Sequence, residues 1–411
     1  MEKIFKYLII GGGIAGTSAS EEIRALDGRG SIAIVSDEPY RLYSRIMLSK
    51  PNFFLEKIPF DTIWLKKESW YQENNISFIF GKSATMLDSK NKIIVLNDGE
   101  KIRYEKLLLA IGGCARRLTV PGAEKKGVFV LRTLNEARAI IAGTKTARRA
   151  VAIGGGFASF EMCEMLRIAG IEVSLCVREK RYWENILDET SARMIEEAFL
   201  KGGVILMKDV EVAEFTGSAF VDGVLLNNGK KIPCEMAVVG VGLFCPFSWI
   251  QTAGIAVNRG IIGNEYLETN VSDIWTAGDA AEFNDLILGE TIQLGNWVNA
   301  QMQGRIAGRN MAGKKEPFRF VSFYTTQGFG IMIAFVGDAR PLPDRTVITR
   351  GSREENSFVR LLMYEGRVVG ATLINRTKEI SAISKIIEKR TLIVGKEKEL
   401  SNLLFDLSSL A

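Results

Sequence analysis

Two glycine-rich turns of the same form each follow an apolar run. The first is Gly11-Gly12-Gly13-Ile14-Ala15-Gly16 after Lys6-Tyr7-Leu8-Ile9-Ile10; the second is Gly154-Gly155-Gly156-Phe157-Ala158-Ser159 after Ala150-Val151-Ala152-Ile153. Glycine permits a sharp strand-to-helix turn and a close approach of backbone to a pyrophosphate, and the helix N-terminus offers N–H groups and partial positive charge to phosphates. After the next apolar run, Ser31-Ile32-Ala33-Ile34-Val35, come Ser36, Asp37 and Glu38. A carboxylate at that point accepts hydrogen bonds from ribose hydroxyls. Two dinucleotide sites in one chain point to electron transfer between their ligands.

The chain has no histidine, which removes a Ser-His-Asp hydrolase, a His-ligated metal and a histidine acid–base catalyst. Hydride transfer loses nothing by this, because a cofactor carries the reacting atoms. The five cysteines, Cys114, Cys163, Cys176, Cys234 and Cys245, form no CxxC, so neither a zinc site nor a disulfide framework is expected.

The elements that must position these residues are readable from pattern. Residues 1–50 form the first βαβ unit, and 76–80 is a strand. Residues 91–96 and 101–104 form a hairpin around Asn97-Asp98-Gly99-Glu100, and 107–111 is a buried strand. The second turn is followed by a helix over 157–169, a strand over 172–177, a helix over 188–200, and strands around 204–215, 219–226 and 235–241. Beyond 323 the pattern predicts strands at 330–336, 346–350, 357–364 and 367–374. A helix over 378–390 then places Ile380, Ile383, Ile386 and Ile387 on one face. At 411 residues the chain is long enough for two or three cores. The fold class expected is α/β: two Rossmann-like three-layer dinucleotide-binding domains plus a smaller α+β C-terminal domain. The boundaries are 1–115 and 246–322 for the first dinucleotide domain, 116–245 for the second, and 323–411 for the last. The charge of +5 is too modest for nucleic acid and favours acidic protein partners. No run of roughly 18 apolar residues indicates a membrane span. A cytoplasmic location is expected.

The residues resemble the two-dinucleotide flavoprotein reductases, the group of rubredoxin, putidaredoxin and related ferredoxin reductases, and the flavin module of the nitrite reductase large subunit. The matching stretches are Tyr7 to Gly16, Asp37-Glu38-Pro39, Tyr43-Ser44-Arg45-Ile46-Met47-Leu48-Ser49-Lys50, Tyr104 to Gly112 and Val120-Pro121-Gly122. They continue at Gly154 to Glu161, Thr276-Ala277-Gly278-Asp279, Asn296-Trp297-Val298-Asn299-Ala300 and Gln303-Gly304. The resemblance implies FAD and NAD(P)H as cofactors and an iron–sulfur electron carrier or redox complex as partner, with a homodimer possible by analogy. It places Gly11, Gly13 and Gly16 on the FAD pyrophosphate and Glu38, in preference to Asp37, on the ribose. Arg45 goes to the FAD phosphate or adenosine side, and Asp279 beside Gly278 to the ribityl chain. Trp297 goes to the flavin edge, Ala110, Ile111 and Gly112 stand where the family has Ala-Thr-Gly at the crossover between domains, and Ala84, Ala110 and Gly112 count among the cofactor-binding residues. Lys50 would sit near the flavin and pair with Glu161 at the nicotinamide face, these two being the catalytic candidates. Gly154, Gly156, Ser159, Arg178 and Gly242 fall to the second nucleotide.

The departures from that pattern also matter. Ser159 replaces the third glycine. Val177 stands where an acid often binds the NAD ribose. The Arg178, Glu179, Lys180 and Arg181 that follow carry three bases with one acid, which favours the 2′-phosphate of NADPH. Leu243-Phe244-Cys245-Pro246 replaces the usual Arg-Pro-Asn. No cysteine precedes Cys114, so no thiol relay follows the flavin, and electrons leave it directly to a redox protein, a small acceptor or oxygen. A flavin-binding scaffold with a degenerate second site, and an NAD(P)H oxidase, are the alternatives.

Overall fold

The computed structural model describes residues 3–411, and its contacts divide the chain into two units. One unit takes the chain up to Ser44, with Asp61–Gly113 and Cys245–Ser322; the other takes Arg45–Phe60, Cys114–Phe244 and Phe323–Ala411.

In the first unit, Lys3–Ile10 is the centre of a seven-stranded sheet. It pairs in parallel with Ile32–Ser36 on one side and Lys101–Leu109 on the other. Ile76–Phe80 extends the sheet beyond Ile32–Ser36. Lys101–Leu109 also receives Ile274–Thr276 in parallel and Ile93–Leu96 antiparallel. Strand alternation sends Tyr7 and Ile9 to one face with Ala15, Ala19, Ile23 and Ile306, and Leu8 and Ile10 to the other with Leu107, Leu109, Ile250 and Ile274. These are the two cores of a three-layer domain. The sequence pattern separates 101–104 from 107–111, but one strand runs through both, because its parallel register with Lys3–Ile10 continues from Ile102 to Leu109.

The helices Ile14–Leu26 and Trp297–Met311 lie backbone to backbone in this unit. A Cβ on Gly304 would stand 2.1 Å from the Ala15 carbonyl oxygen, and one on Gly308 2.5 Å from that of Ala19. Arg309 Nε donates to Glu22 Oε2 at 2.8 Å across the same contact.

The second unit repeats the parallel design. Its five strands run in the order Val204–Met207, Glu172–Cys176, Arg149–Ile153, Met236–Val239, Val128–Val130, all parallel. Within the stretch 204–215 the chain breaks at Asp209 (φ +57°), so that Val204–Met207 ends this sheet and Val212–Thr216 enters a separate three-stranded one. The C-terminal part is an antiparallel sheet of five strands, Phe323–Gly328, Ile331–Gly337, Arg367–Ile374, Ser357–Tyr364 and Thr346–Ser352 in spatial order. The helix Ile380–Lys389 packs on it through Ile383, Ile386 and Ile387. The strand Phe323–Gly328 is absent from the sequence-based reading, which begins this sheet at 330. Among the described residues no helix is long and apolar enough to cross a membrane.

Candidate functional site

Each unit carries one glycine turn, and the two turns match position by position. Gly11 and Gly154 adopt φ +121° and +119°, which L side chains avoid. A Cβ on Gly11 would come within 2.0 Å of the Ala110 carbonyl oxygen, and one on Gly154 within 2.3 Å of that of Gly240. Gly16 is pressed onto the Gly11 carbonyl, where a Cβ would stand at 2.0 Å. Its counterpart Ser159 is buried and turns its hydroxyl onto the Ile153 carbonyl at 3.3 Å. Gly13 and Gly156, by contrast, each face open space, with nothing within 4 Å of a built Cβ. They are the N-caps of Ile14–Leu26 and Phe157–Ile168, and neither helix has a side-chain cap. The helices Leu134–Thr144, Glu189–Lys201 and Trp297–Met311 are each capped by a side chain, from Thr133, Asp188 and Asn296 respectively. Both glycine-turn helices therefore keep their N-terminal N–H groups for another acceptor, and the space before each is clear.

Around the first turn, Glu38 accepts a hydrogen bond from the Tyr43 hydroxyl at 2.7 Å, while Asp37 is exposed. Ala110 N donates to the Ile10 carbonyl at 2.8 Å, and Ala84 opens the strand Ala84–Asp88, half-buried. Gly112 (φ +61°) offers its carbonyl to the Cys245 thiol at 3.0 Å. Gly278 (φ +84°) donates its N–H to Gln303 Oε1 at 2.7 Å, and the carbonyl of Asp279 accepts from Gln293 at 2.8 Å. Trp297 is half-buried at the first position of its helix. Four residues apart on one face of that helix, Asn299 Oδ1 and Gln303 Nε2 are buried without a partner. Gln303 thus keeps an orphaned donor beside Gly278, which packs against Ala15 of the first turn, and the direction before Gly13 is open. The first turn fits FAD on these grounds.

In the second unit, Glu161 projects from the second turn of Phe157–Ile168 into a ring of donors. Lys50 Nζ reaches its Oε1 at 2.5 Å, the Ser49 hydroxyl bonds to Oε2, and the Thr326 hydroxyl reaches Oε1 at 2.8 Å. Lys50 and Glu161 are thus brought together, as the resemblance implied. Ser49 and Thr326 carried no role in the sequence-based reading. Arg45 donates to the Arg132 carbonyl at 2.5 Å in this same unit. Gly242 (φ +97°) accepts from Arg116 N at 2.9 Å. Arg178 is largely exposed and pairs with Glu179 at 3.0 Å, and Arg181 pairs with Glu184 at 3.3 Å.

The thiols stand apart from this chemistry. None of the five cysteines forms a disulfide, and Cys163, Cys176 and Cys234 are buried. Burial pushes the Cys176 and Cys234 thiols up to about 12 and raises that of Cys163 further.

Residues 5–304 match the family model described as pyridine nucleotide-disulphide oxidoreductase, and residues 322–411 match one described as reductase C-terminal. The chain is 30% identical to the 5,5′-dehydrodivanillate O-demethylase ferredoxin reductase subunit of Sphingobium sp., over 95% of this chain and 93% of that one. It is 28% identical to nitrite reductase [NAD(P)H] of Bacillus subtilis over 96% of this chain, which spans about half (48%) of that longer protein. Its fold superposes on the ferredoxin reductase for the CYP199A2 system of Rhodopseudomonas palustris with a TM-score of 0.92 at 26% identity, covering 99% and 100% of the two chains. By the match over most of its length, the chain belongs to the pyridine nucleotide-disulphide oxidoreductase family.

Proposed function

We propose that this protein is an FAD-dependent NAD(P)H oxidoreductase that exchanges electrons with an iron–sulfur carrier of ferredoxin or rubredoxin type. The observation that carries the proposal is the pair of matching open cradles at Gly13 and Gly156, one for each dinucleotide. The chemistry FAD supplies, when bound, is the conversion of a nicotinamide hydride into single electrons. The chain's own residues bind and orient. The N–H groups after Gly13 and Gly156 meet the two pyrophosphates, and Glu38, steadied by Tyr43, accepts from a ribose. Lys50 is held as a fixed cation by Glu161, and the carboxylate is held in turn by Ser49 and Thr326. Arg45, Ala84, Ala110, Gly112, Trp297, Ser159 and Gly242 complete the proposed contacts.

The partner class follows from the thiols and from relatives. The three buried cysteines are kept protonated, so a thiol relay has nothing to work with there. The Sphingobium and Rhodopseudomonas relatives are ferredoxin reductases by name. Net positive charge suits an acidic carrier. Five cysteines without a disulfide suit the reducing cytoplasm, where we place the protein.

The test is stopped-flow reduction of the bound flavin by NAD(P)H, followed by carrier reduction at increasing ionic strength. Carrier reduction should outpace reaction with oxygen and slow as salt shortens the Debye length from about 10 Å at 0.1 M to about 3 Å at 1 M. Equal rates with oxygen and carrier, insensitive to salt, would reject the carrier in favour of an NAD(P)H oxidase. Flavin reduction by neither coenzyme would leave the scaffold reading.

A further inference from the structure

We infer that Glu179 is the ribose carboxylate of the second turn, and that it selects NADH over NADPH. This rests on the reading of that turn as the nicotinamide-nucleotide site.

The observation is the internal correspondence of the two turns, continued past the glycines. A Cβ built on Gly12 meets the side chain of Ser36 at 2.9 Å, and one built on Gly155 meets that of Val177 at 3.1 Å. Ser36 and Val177 are therefore equivalent: each stands behind the middle glycine, one residue past the carbonyl (Val35 or Cys176) that accepts from the first glycine of its turn. Two residues beyond Ser36 is Glu38, and two residues beyond Val177 is Glu179. Val177 is fully buried and apolar, so it offers no hydrogen bond to a ribose. The acid missing at Val177 is supplied two positions later.

Glu179 also points the right way. Its Oε2 lies 3.4 Å from the built Cβ of Gly155, so the carboxylate rests against the turn rather than in open solvent. Each glutamate has a neighbour that steadies it, Tyr43 for Glu38 at 2.7 Å and Arg178 for Glu179 at 3.0 Å. A carboxylate beside the turn accepts from the 2′- and 3′-hydroxyls of an unphosphorylated ribose and repels a 2′-phosphate.

Two of the three basic residues read from sequence as a 2′-phosphate site are differently engaged. Arg178 is paired with Glu179, and Arg181 with Glu184 at 3.3 Å. The two arginines best shaped for a phosphate already hold carboxylates. The geometry thus reverses the coenzyme preference that composition suggests.

The experiment titrates the FAD-loaded protein calorimetrically with NAD⁺ and with NADP⁺, neither of which turns over, and compares wild type with Glu179→Gln and Arg178→Ala. The bound-flavin spectrum confirms that each variant is folded. NAD⁺ should bind at least about tenfold more tightly than NADP⁺, and Glu179→Gln should weaken NAD⁺ by about tenfold while leaving NADP⁺ unchanged or tighter, the scale of one charge-assisted hydrogen bond. Arg178→Ala should leave NADP⁺ binding within about twofold, since the arginine serves the glutamate and not a phosphate. Tighter binding of NADP⁺, an NAD⁺ to NADP⁺ ratio unmoved by Glu179→Gln, or a loss of NADP⁺ binding in Arg178→Ala would overturn the assignment while keeping a nucleotide at this turn. Binding of neither coenzyme to wild type would overturn the site itself.

Discussion

Thr326 donates its hydroxyl to Glu161 Oε1 at 2.8 Å, joining residues 165 positions apart. Thr326 lies on the first strand of the C-terminal sheet, whereas Glu161 lies on the helix of the second glycine turn. The hydroxyl, together with Ser49 and Lys50, fixes one rotamer of a carboxylate that would otherwise be free to swing. A hydrogen bond to a charged group contributes about 1.5–3 kcal/mol. Thr326→Val, which keeps the shape and removes the donor, should slow flavin reduction by NAD(P)H by about tenfold on that scale. Thr326→Ser should restore most of the rate, which distinguishes the donor from simple packing. Equal stopped-flow rates for wild type and the valine variant would show that Ser49 and Lys50 suffice.

The two kinds of glycine in the first turn should respond oppositely to alanine. Gly13 has φ −76° and an empty direction ahead of it, so Gly13→Ala should leave the melting temperature of the apoprotein near wild type while sharply weakening FAD uptake. Gly16→Ala drives a methyl to 2.0 Å from the Gly11 carbonyl, and overpacking of this kind costs about 1–3 kcal/mol. It should therefore lower the melting temperature before any cofactor is added. Scanning calorimetry of both apoproteins, with a fluorimetric FAD titration, checks the pair. FAD uptake by Gly13→Ala equal to wild type would remove the cradle as the pyrophosphate site.

The buried thiols predict an alkaline limit to stability. Burial raises Cys176 and Cys234 from an ordinary value of 9.0 to about 12. The folded chain holds these protons more tightly than the unfolded chain does. Their contribution is complete below pH 9 and is lost progressively from pH 9 towards pH 12. The melting temperature should fall over this range, and less steeply in the double variant Cys176→Ala/Cys234→Ala. In the native protein below pH 9, iodoacetamide should leave Cys163, Cys176 and Cys234 unlabelled by mass spectrometry and react at Cys114. All-cysteine replacement should leave NAD(P)H-to-dye activity within several-fold of wild type. A loss of orders of magnitude from one folded variant would reveal a thiol relay.

Arg360 offers a stability test away from the cofactors. It is 2% exposed, its Nε has no partner, and one terminal nitrogen reaches the Ile186 carbonyl at 3.0 Å. Desolvation holds its pKa below the usual guanidinium value, so burial works against the charge. Arg360→Met, similar in length and uncharged, should change unfolding free energy by no more than about 1 kcal/mol, whereas Arg360→Ala leaves a cavity and should cost about 2–5 kcal/mol. Urea melts of the two variants decide it. Equal large losses would mean that the hydrogen bond to Ile186 outweighs the desolvation.

What could be read from the sequence was local. The glycine turns, the strands feeding them and the Asp98-Gly99 hairpin announce themselves because each is specified within a few residues; Gly99, for example, sits at φ +85°. The pairing of Lys50 with Glu161 came through family resemblance and not through spacing. Ser49 and Thr326 could not be read, since a hydroxyl that meets its carboxylate across 112 or 165 residues leaves no periodic trace. The strand Phe323–Gly328 went unread because Thr325, Thr326 and Gln327 interrupt the apolar alternation that marks its neighbours. The break at Asp209 was hidden in an otherwise strand-like run. Glu179 was visible as a residue, but its place against Gly155 became apparent only when the two turns could be compared in space.

The bare contact of Gly304 and Gly308 with Ala15 and Ala19 has a consequence for biosynthesis. The helix that begins at the first cradle ends at Leu26, yet the helix it lies against runs from Trp297 to Met311 and leaves the ribosome far later. Ile274–Thr276, at the edge of the same sheet, is also late. The first βαβ unit must therefore wait, with part of its apolar surface uncovered, until that later helix has been made. FAD capture becomes a late event in synthesis, and a nascent chain stalled before this second helix should emerge without flavin however much is supplied.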